Sequence, residues 1–309
     1  MEFTLDRFHG CLAGLAAGDA LGTAVEFSRP GTFEPLRDMV GGGVFGLRPG
    51  QWTDDTSMAL CLAESLLETD GFDPADQMSR YVSWFREGYM SSTGTCFDIG
   101  NATREALLLF ERTGEPFSGS NDPYSAGNGS IMRLAPVPMF YAADPAAAVR
   151  FAVQSSRTTH GTAECLQACG LLACYLLAGL RGWSKAELLA PDAYREWMGA
   201  AGLELSDGLA EILAGSYRRK EPPAIKGSGY VVQSLEAALW AFDKSSNFED
   251  GALLAVNLGD DADTTGAVYG QIAGAYYGYD GIPEPWREKL AMRGKIEKTA
   301  RKLLDLQRA

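Results

Sequence analysis

Gly259-Asp260-Asp261-Ala262-Asp263-Thr264-Thr265-Gly266 leads into Ala267-Val268-Tyr269-Gly270-Gln271-Ile272-Ala273-Gly274-Ala275-Tyr276-Tyr277. The first half is acidic and rich in hydroxyls, as helix starts are; the second is apolar and predicts a helix over 264–277. Outward from this stretch the helical period returns throughout the chain. Leu5, Phe8, Leu12 and Leu15 follow it, as do Met58, Leu62 and Leu66. Met78, Tyr81, Val82 and Phe85 form another such set, and Ala106, Leu107 and Phe110 a fourth. Further helices are expected over 162–179, 230–243 and 248–258, with a polar closing helix over 284–307. Alternating β-branched strands are scarce, and no internal repeat or low-complexity linker divides the chain. The reading is all-α: a single compact multi-helix domain spanning 1–309.

With 46% hydrophobic and 22% charged residues, the 309-residue chain can bury a sizeable core and does not resemble a disordered sequence. A formal charge of -13 repels a phosphate backbone, so no nucleic-acid partner is expected. None of the six cysteines forms a C-x-x-C pair, and Cys165 and Cys169 sit in an apolar helical run, as buried free thiols do. Glu2 and Asp6 come early, where a targeting signal would be basic. No segment reaches the roughly 18 uninterrupted apolar residues of a membrane span. A cytoplasmic monomer that does not meet a membrane is expected.

The helices are separated by glycine-rich loops: Gly41-Gly42-Gly43, then Gly94 and Gly100, Gly127 and Gly129, and Gly227 and Gly229. Glycine lets a backbone approach a ligand and aim its N–H groups at it, although some of these glycines will only cap helices. A second acidic cluster, Gln51-Trp52-Thr53-Asp54-Asp55-Thr56-Ser57, stands before the helix of Met58. Either cluster alone could serve as a cap and dipole partner. Together they bring Asp54, Asp55, Asp260, Asp261 and Asp263 to two helix starts, more charge than capping needs. A hard divalent cation takes carboxylate and hydroxyl oxygens of this kind, and no cysteine or histidine stands nearby to suggest zinc. Two facing clusters could hold two ions about 3.5–4 Å apart. Three competing motifs fail. An EF-hand loop from Asp261 would end on Ile272 instead of glutamate. A D-x-D-x-T phosphatase motif needs an α/β setting that the chain lacks. Helical isoprenoid-diphosphate enzymes need a later acidic residue that Asp54-Asp55-Thr56-Ser57-Met58 does not have.

The ordered set Gly14-Leu15-Ala16-Ala17-Gly18-Asp19-Ala20-Leu21-Gly22 with Glu26, Trp52 to Thr56, Gly127 to Arg133, Thr159-His160 and Gly259 to Gly266 resembles the ADP-ribosylglycohydrolase family. The resemblance covers about residues 6 to 280 and is nearest to the bacterial members that reactivate dinitrogenase reductase. It implies an all-α fold with a cleft holding two divalent cations, Mg²⁺ or Mn²⁺. Thr53, Asp54 and Asp55 would supply one set of metal ligands, and Asp261, Asp263 and Thr264 the other. Asp260 stands where the family usually has glycine.

Glu26 matches an acid at the metal centre, and Gly127, Asn128, Gly129 and Ser130 a loop cradling the diphosphate and adjoining ribose. Gly100 belongs with the substrate-binding positions beside Asp98. Asp98 matches an acid that faces a guanidinium in arginine-specific relatives, as bidentate pairing would favour; it could equally cap the helix at 102–111. His160 matches a cleft histidine, here followed by Gly161. Tyr230 resembles an aromatic that stacks on adenine, though a tyrosine opening an apolar helix is as often core. The implied activity is metal-dependent hydrolysis of the bond joining ADP-ribose to a protein side chain, arginine foremost, with an ADP-ribosylated protein as partner. Glu26 and Asp55 are the candidate proton acceptors and Asp98 the holder of the leaving group. A non-hydrolytic ADP-ribose binding module, or another all-α Mg²⁺-dependent nucleotide or diphosphate hydrolase, would share much of this pattern.

Overall fold

A computed structural model describes residues 2–307, which form fifteen α-helices. In chain order they are α1 (Leu5–Gly22), α2 (Asp54–Glu68), α3 (Pro74–Glu87), α4 (Asn101–Thr113), α5 (Pro136–Phe140), α6 (Pro145–Arg157), α7 (Ala163–Leu180) and α8 (Lys185–Leu188). Then follow α9 (Arg195–Ala201), α10 (Asp207–Leu213), α11 (Val231–Lys244), α12 (Phe248–Val256), α13 (Ala262–Tyr277), α14 (Glu284–Lys289) and α15 (Arg293–Asp305). Among the described residues there is no strand, only isolated bridges such as Gly127 with Tyr230. The all-α expectation is met, and one hydrophobic cluster runs through helices from both ends of the chain.

Helix ends follow local chemistry. Asp73 caps α3 by accepting from the amides of Ala75 and Asp76, with Pro74 in the first turn. Ser184 and Glu187 form a reciprocal capping box on α8. The helix expected over 264–277 begins slightly earlier, at Ala262. The closing helix expected over 284–307 is instead two helices, α14 and α15, separated at Met292 (φ 51°). The break has a tertiary cause: the Ala291 amide donates to the Gly50 carbonyl, and the Ala291 carbonyl accepts from the Trp52 indole. Those groups are therefore unavailable to a continuous helix. α7 is apolar and long enough to cross a membrane by composition, yet 78% of it is buried within the protein, which makes it a core helix.

The contact that positions the site is the α1–α13 seam. Gly10, Gly14, Gly18 and Gly22 recur every fourth residue on α1, and Gly266, Gly270 and Gly274 do the same on α13. The helices run antiparallel, with Gly10 against Gly274, Gly14 against Gly270 and Gly18 against Gly266. A Cβ at any of these positions would collide with the carbonyl oxygen of its opposite glycine. With no side chains between them, the two backbones pack directly. That closeness carries Asp19 on α1 toward the acidic start of α13.

Candidate metal centre and cleft

α2 and α13 begin with aspartates, but these do not cap them. Neither Thr53 before α2 nor Asp261 before α13 makes a side-chain cap bond. The first-turn amides of α2 are taken by Asp19 of α1. Thr53 N donates to Asp19 Oδ1 (2.8 Å), and Thr56 N and Thr56 Oγ1 donate to Asp19 Oδ2 (3.0 and 2.6 Å). Asp54 and Asp55 are thereby released from capping. On the other side, Phe27 N donates to the Asp260 carbonyl (2.6 Å) and Asp260 N to the Ser28 carbonyl (2.8 Å), which docks Glu26 beside α13. Asp260 has φ 53°, a left-handed conformation that glycine adopts freely and aspartate tolerates, which accounts for the glycine usual there.

Thr53 lies at the centre of the acidic group. Its Oγ1 is 2.9 Å from Asp19 Oδ1, 3.1 Å from Asp55 Oδ2 and 3.1 Å from Asp263 Oδ2. A hydroxyl has one proton to donate, so the remaining close oxygen pairs require a retained carboxyl proton or a cation. Carboxylate oxygens of Asp19, Asp55 and Asp263 come within 4.8 Å of one another, as do those of Glu26, Asp98 and Asp263, so Asp263 belongs to two adjoining groups. Asp55 Oδ1 and Glu26 Oε2 are buried without a hydrogen-bond partner. No lysine or arginine pairs with any of these acids among the described residues. The donor set, all hard oxygen, fits a divalent cation.

The electrostatics agree. Burial, then the charges of Asp98, Asp261 and Asp55, pushes Glu26 up to about 10. Burial followed by Asp19 pushes Asp98 up to about 6. Burial raises Asp19 to about 6 against the lowering effect of the Thr56 and Thr53 hydrogen bonds. Burial also holds Asp54, Asp55 and Asp263 well above the usual carboxylate range, helped by Asp98 for Asp54, by Asp19 for Asp55 and by Glu26 for Asp263. Without a cation this group retains protons that isolated carboxylates would release.

These acids form one wall of a cleft with about 340 Å³ of free volume. Glu26, Asp54, Asp98, Asp261, Asp263 and Thr264 line it, with Gly100, Gly127, Asn128, Gly129 and His160 on the remaining surface. Most of the residues expected from sequence are thus brought together. Thr53 and Asp55 sit behind this wall, fully buried. Asn128 ties the glycine loop to the acidic wall, its Nδ2 donating to Asp261 Oδ2 (2.9 Å) and its backbone N to the Gly229 carbonyl (3.0 Å).

Three expectations need revision in detail. Asp98 does not cap α4: the N-cap is Gly100, with no side-chain bond, and Asp98 (φ 54°) turns into the cleft instead. The Ser130 hydroxyl is drawn inward, accepting from Ser156 Oγ (2.9 Å) and Cys169 Sγ (3.3 Å), so only its backbone is available to a ligand. Tyr230 is not core: it is 38% exposed beside the glycine loop, and its hydroxyl donates to Glu164 Oε1 (2.7 Å). Asp19 joins the site without having been expected there, and its signal in the sequence is a lone carboxylate inside the apolar run of α1.

A family model described as ADP-ribosylglycohydrolase matches residues 2–309. An ADP-ribosylarginine hydrolase, Tri1, from Pseudomonas putida is 48% identical, over 98% of this chain and 79% of its own length. The Tri1 of Serratia proteamaculans is 42% identical, over 97% of this chain and 79% of its own. The ADP-ribosyl-[dinitrogen reductase] glycohydrolase of Rhodospirillum rubrum is 32% identical, over 97% of this chain and 95% of its own. A solved structure titled ADP-ribosylglycohydrolase-related protein complex superposes with a TM-score of 0.86 at 47% identity, covering 98% of both chains. The chain belongs to the ADP-ribosylglycohydrolase family.

Proposed function

We propose that this protein hydrolyses the bond between ADP-ribose and arginine side chains of modified proteins, using two divalent cations, Mg²⁺ or Mn²⁺. The observation that carries the reading is the convergence of Asp19, Glu26, Asp54, Asp55, Asp98 and Asp263 without a lysine or arginine partner beside an open cleft. The names of two relatives at 48% and 42% identity, both ADP-ribosylarginine hydrolases, support the linkage. Thr53, Asp54, Asp55, Asp261, Asp263 and Thr264 would hold the cations, with Asp19 fixing Thr53. When bound, the cations supply counter-charge and Lewis acidity for the ribose hydroxyls or a water.

The chain's own residues would do the rest. The Gly127 and Asn128 amides donate to the Ser125 and Gly229 carbonyls, so the loop would meet the diphosphate through the Gly129 amide, with no Cβ at the two glycines to keep the anion away. Asp98 accepts two hydrogen bonds from the guanidinium, which orients the scissile bond and favours arginine. Water attacks the anomeric carbon as the bond to the guanidine nitrogen breaks and its electrons pass to that nitrogen. Glu26 takes the water's proton at its unpartnered Oε2, with Asp55 as the alternative acceptor. Five of the six free cysteines are buried, in keeping with a reducing cytoplasm.

The test is release of free ADP-ribose from an arginine-ADP-ribosylated protein with Mg²⁺ or Mn²⁺, repeated with EDTA and with a serine-linked substrate. Metal-dependent release from arginine is the expected result. Asp261→Ala should lose turnover with its helical circular dichroism intact, and full activity in that variant would overturn the two-ion assignment. Binding of ADP-ribose without release from either substrate would make the protein a binding module.

A further inference from the structure

Arg133 is a buried cation with no carboxylate partner among the described residues. It is 1% exposed, its guanidinium lies over the Tyr81 ring (4.6 Å to the centroid), and Nη1 meets only Met58 Sδ (3.6 Å). Such burial is costly, so the one strong hydrogen bond it makes is informative. Nη2 donates to Thr159 Oγ1 at 2.6 Å, and the same Oγ1 lies 2.8 Å from His160 Nδ1. Thr159 is fully buried. Arginine can only donate, so Thr159 Oγ1 accepts from it and retains one proton of its own. If His160 Nδ1 were protonated it would also donate to Oγ1, leaving the threonine proton buried with no acceptor. Arg133 Nε stays without a partner in either case, and the arrangement that gives the threonine proton an acceptor runs in one direction, from Arg133 through Thr159 to an unprotonated Nδ1. The neutral ring then carries its proton on Nε2.

That nitrogen has a defined outlook. His160 lines the cleft, and its ring edge lies against Gly127 and Gly129. A Cβ at Gly129 would stand 2.7 Å from Cε1 and 3.0 Å from Nε2, so glycine is what leaves this edge open. Burial and the Arg133 charge together lower His160 to about 3, which keeps the ring neutral.

We propose that Arg133 is a positioning residue that acts through Thr159 to hold His160 in the Nε2–H form, a fixed neutral donor to an oxygen of the bound ADP-ribose. The ligand, though not the relay, rests on the proposed function. A neutral donor suits a cleft whose other wall takes cations, because an imidazolium there would compete with them. The charge of Arg133 polarises the Thr159 hydroxyl and strengthens the chain of bonds without entering the cleft.

Only His9 and His160 are present, so a His9→Gln background leaves one imidazole to observe. Long-range ¹⁵N–¹H spectra of the ligand-free protein should show a single form with the proton on Nε2. Thr159→Val, isosteric but without the hydroxyl, should give mixed tautomers, and Thr159→Ser should restore the single form. Arg133→Met should resemble Thr159→Val; if it does not fold, the threonine pair decides. ADP-ribose binding by calorimetry with Mg²⁺ should weaken about 3- to 10-fold in Thr159→Val, the worth of one hydrogen bond. In a His160→Gln background, where the amide has no tautomer to set, the same substitution should change affinity less than about twofold. A pure Nε2–H spectrum in Thr159→Val overturns the relay. A changed spectrum with unchanged affinity overturns the donor role. Wild-type protein that binds ADP-ribose and releases none from protein refutes the hydrolytic reading alone, because the spectra and the affinities do not depend on turnover.

Discussion

Stripping divalent cations should make the stability of this protein fall as pH rises. Burial raises Glu26, Asp19 and Asp98 to about 10, 6 and 6, with neighbouring carboxylates adding to it for Glu26 and Asp98, and Asp54, Asp55 and Asp263 are raised as well. A carboxyl whose folded value exceeds its unfolded value stabilises the fold fully below the unfolded value, near 4. That stability is lost as pH climbs through the folded value. For this group the loss runs through about 6 for Asp19 and Asp98 and on toward about 10 for Glu26. Each proton held in excess by the folded state gives a slope of about 1.4 kcal/mol per pH unit. An unfolding entropy near 2.1 cal/mol/K per residue makes about 0.65 kcal/mol/K for this chain, so one shared proton lowers Tm by about 2 °C per pH unit. Acids with lowered values, such as Glu64 and Glu297, lose their contribution only near and below pH 4, whereas His160 and His9, both lowered by burial, add a rising contribution up to about pH 6.5 and leave the window from 7 to 8 clear. Mg²⁺ at about 100 times its Kd should restore about 2.7 kcal/mol, or about 4 °C, with the larger effect at higher pH, where it does not compete with protons. Differential scanning calorimetry at pH 5, 6, 7 and 8, with EDTA and with Mg²⁺ or Mn²⁺, reads both effects. Asp263→Asn, which removes the acid common to both groups, should flatten the metal-free slope and abolish the cation shift. A metal-free Tm that is level or rising from pH 7 to 8, above the histidine range, and unmoved by either cation at pH 8, would refute the argument.

Three further outcomes can be measured. Asp98→Asn should lower kcat/KM on arginine-linked ADP-ribose by about 10- to 100-fold, the worth of a charge-assisted pair, as read by steady-state release; an unchanged ratio removes Asp98 from guanidinium recognition. Gly270→Ala forces a methyl group against the Gly14 carbonyl and should cost about 1–3 kcal/mol or more in urea unfolding, whereas Gly294→Ala, with open space around it, should be neutral or stabilising. Asp260→Gly replaces a left-handed aspartate with the residue that adopts φ 53° without strain, so its stability should stay within about 1 kcal/mol of the parent and its turnover should persist.

What the sequence makes legible is chemistry that is local in the chain. The helices follow from apolar residues three and four apart, and the acidic starts of α2 and α13 declare themselves by carrying more charge than a cap requires. What it conceals is chemistry shared between distant segments. Asp19 stands out as a lone acid in an apolar run, but that it takes the first-turn amides of α2 shows only when α1 meets α2. The division of the closing helix depends on a Trp52 indole and a Gly50 carbonyl far back in the chain, which no window around Met292 contains. Arg133 reads as a loop terminus, and only burial shows that its charge has one route outward. The fourth-residue recurrence of glycine on α1 and α13 was visible but is ambiguous alone, since the same residues suit helix caps and loops. Its meaning depends on the other helix. These observations share a cause: the seam lets two backbones meet, and that meeting sets Asp19 beside Thr53 and Thr53 beside Asp263. Without the opposing glycines, α1 and α13 would stand a side chain further apart and the two acidic clusters would each be an ordinary helix start. The glycine seam, which contributes no group to the chemistry, is therefore as much a condition of the site as the aspartates are.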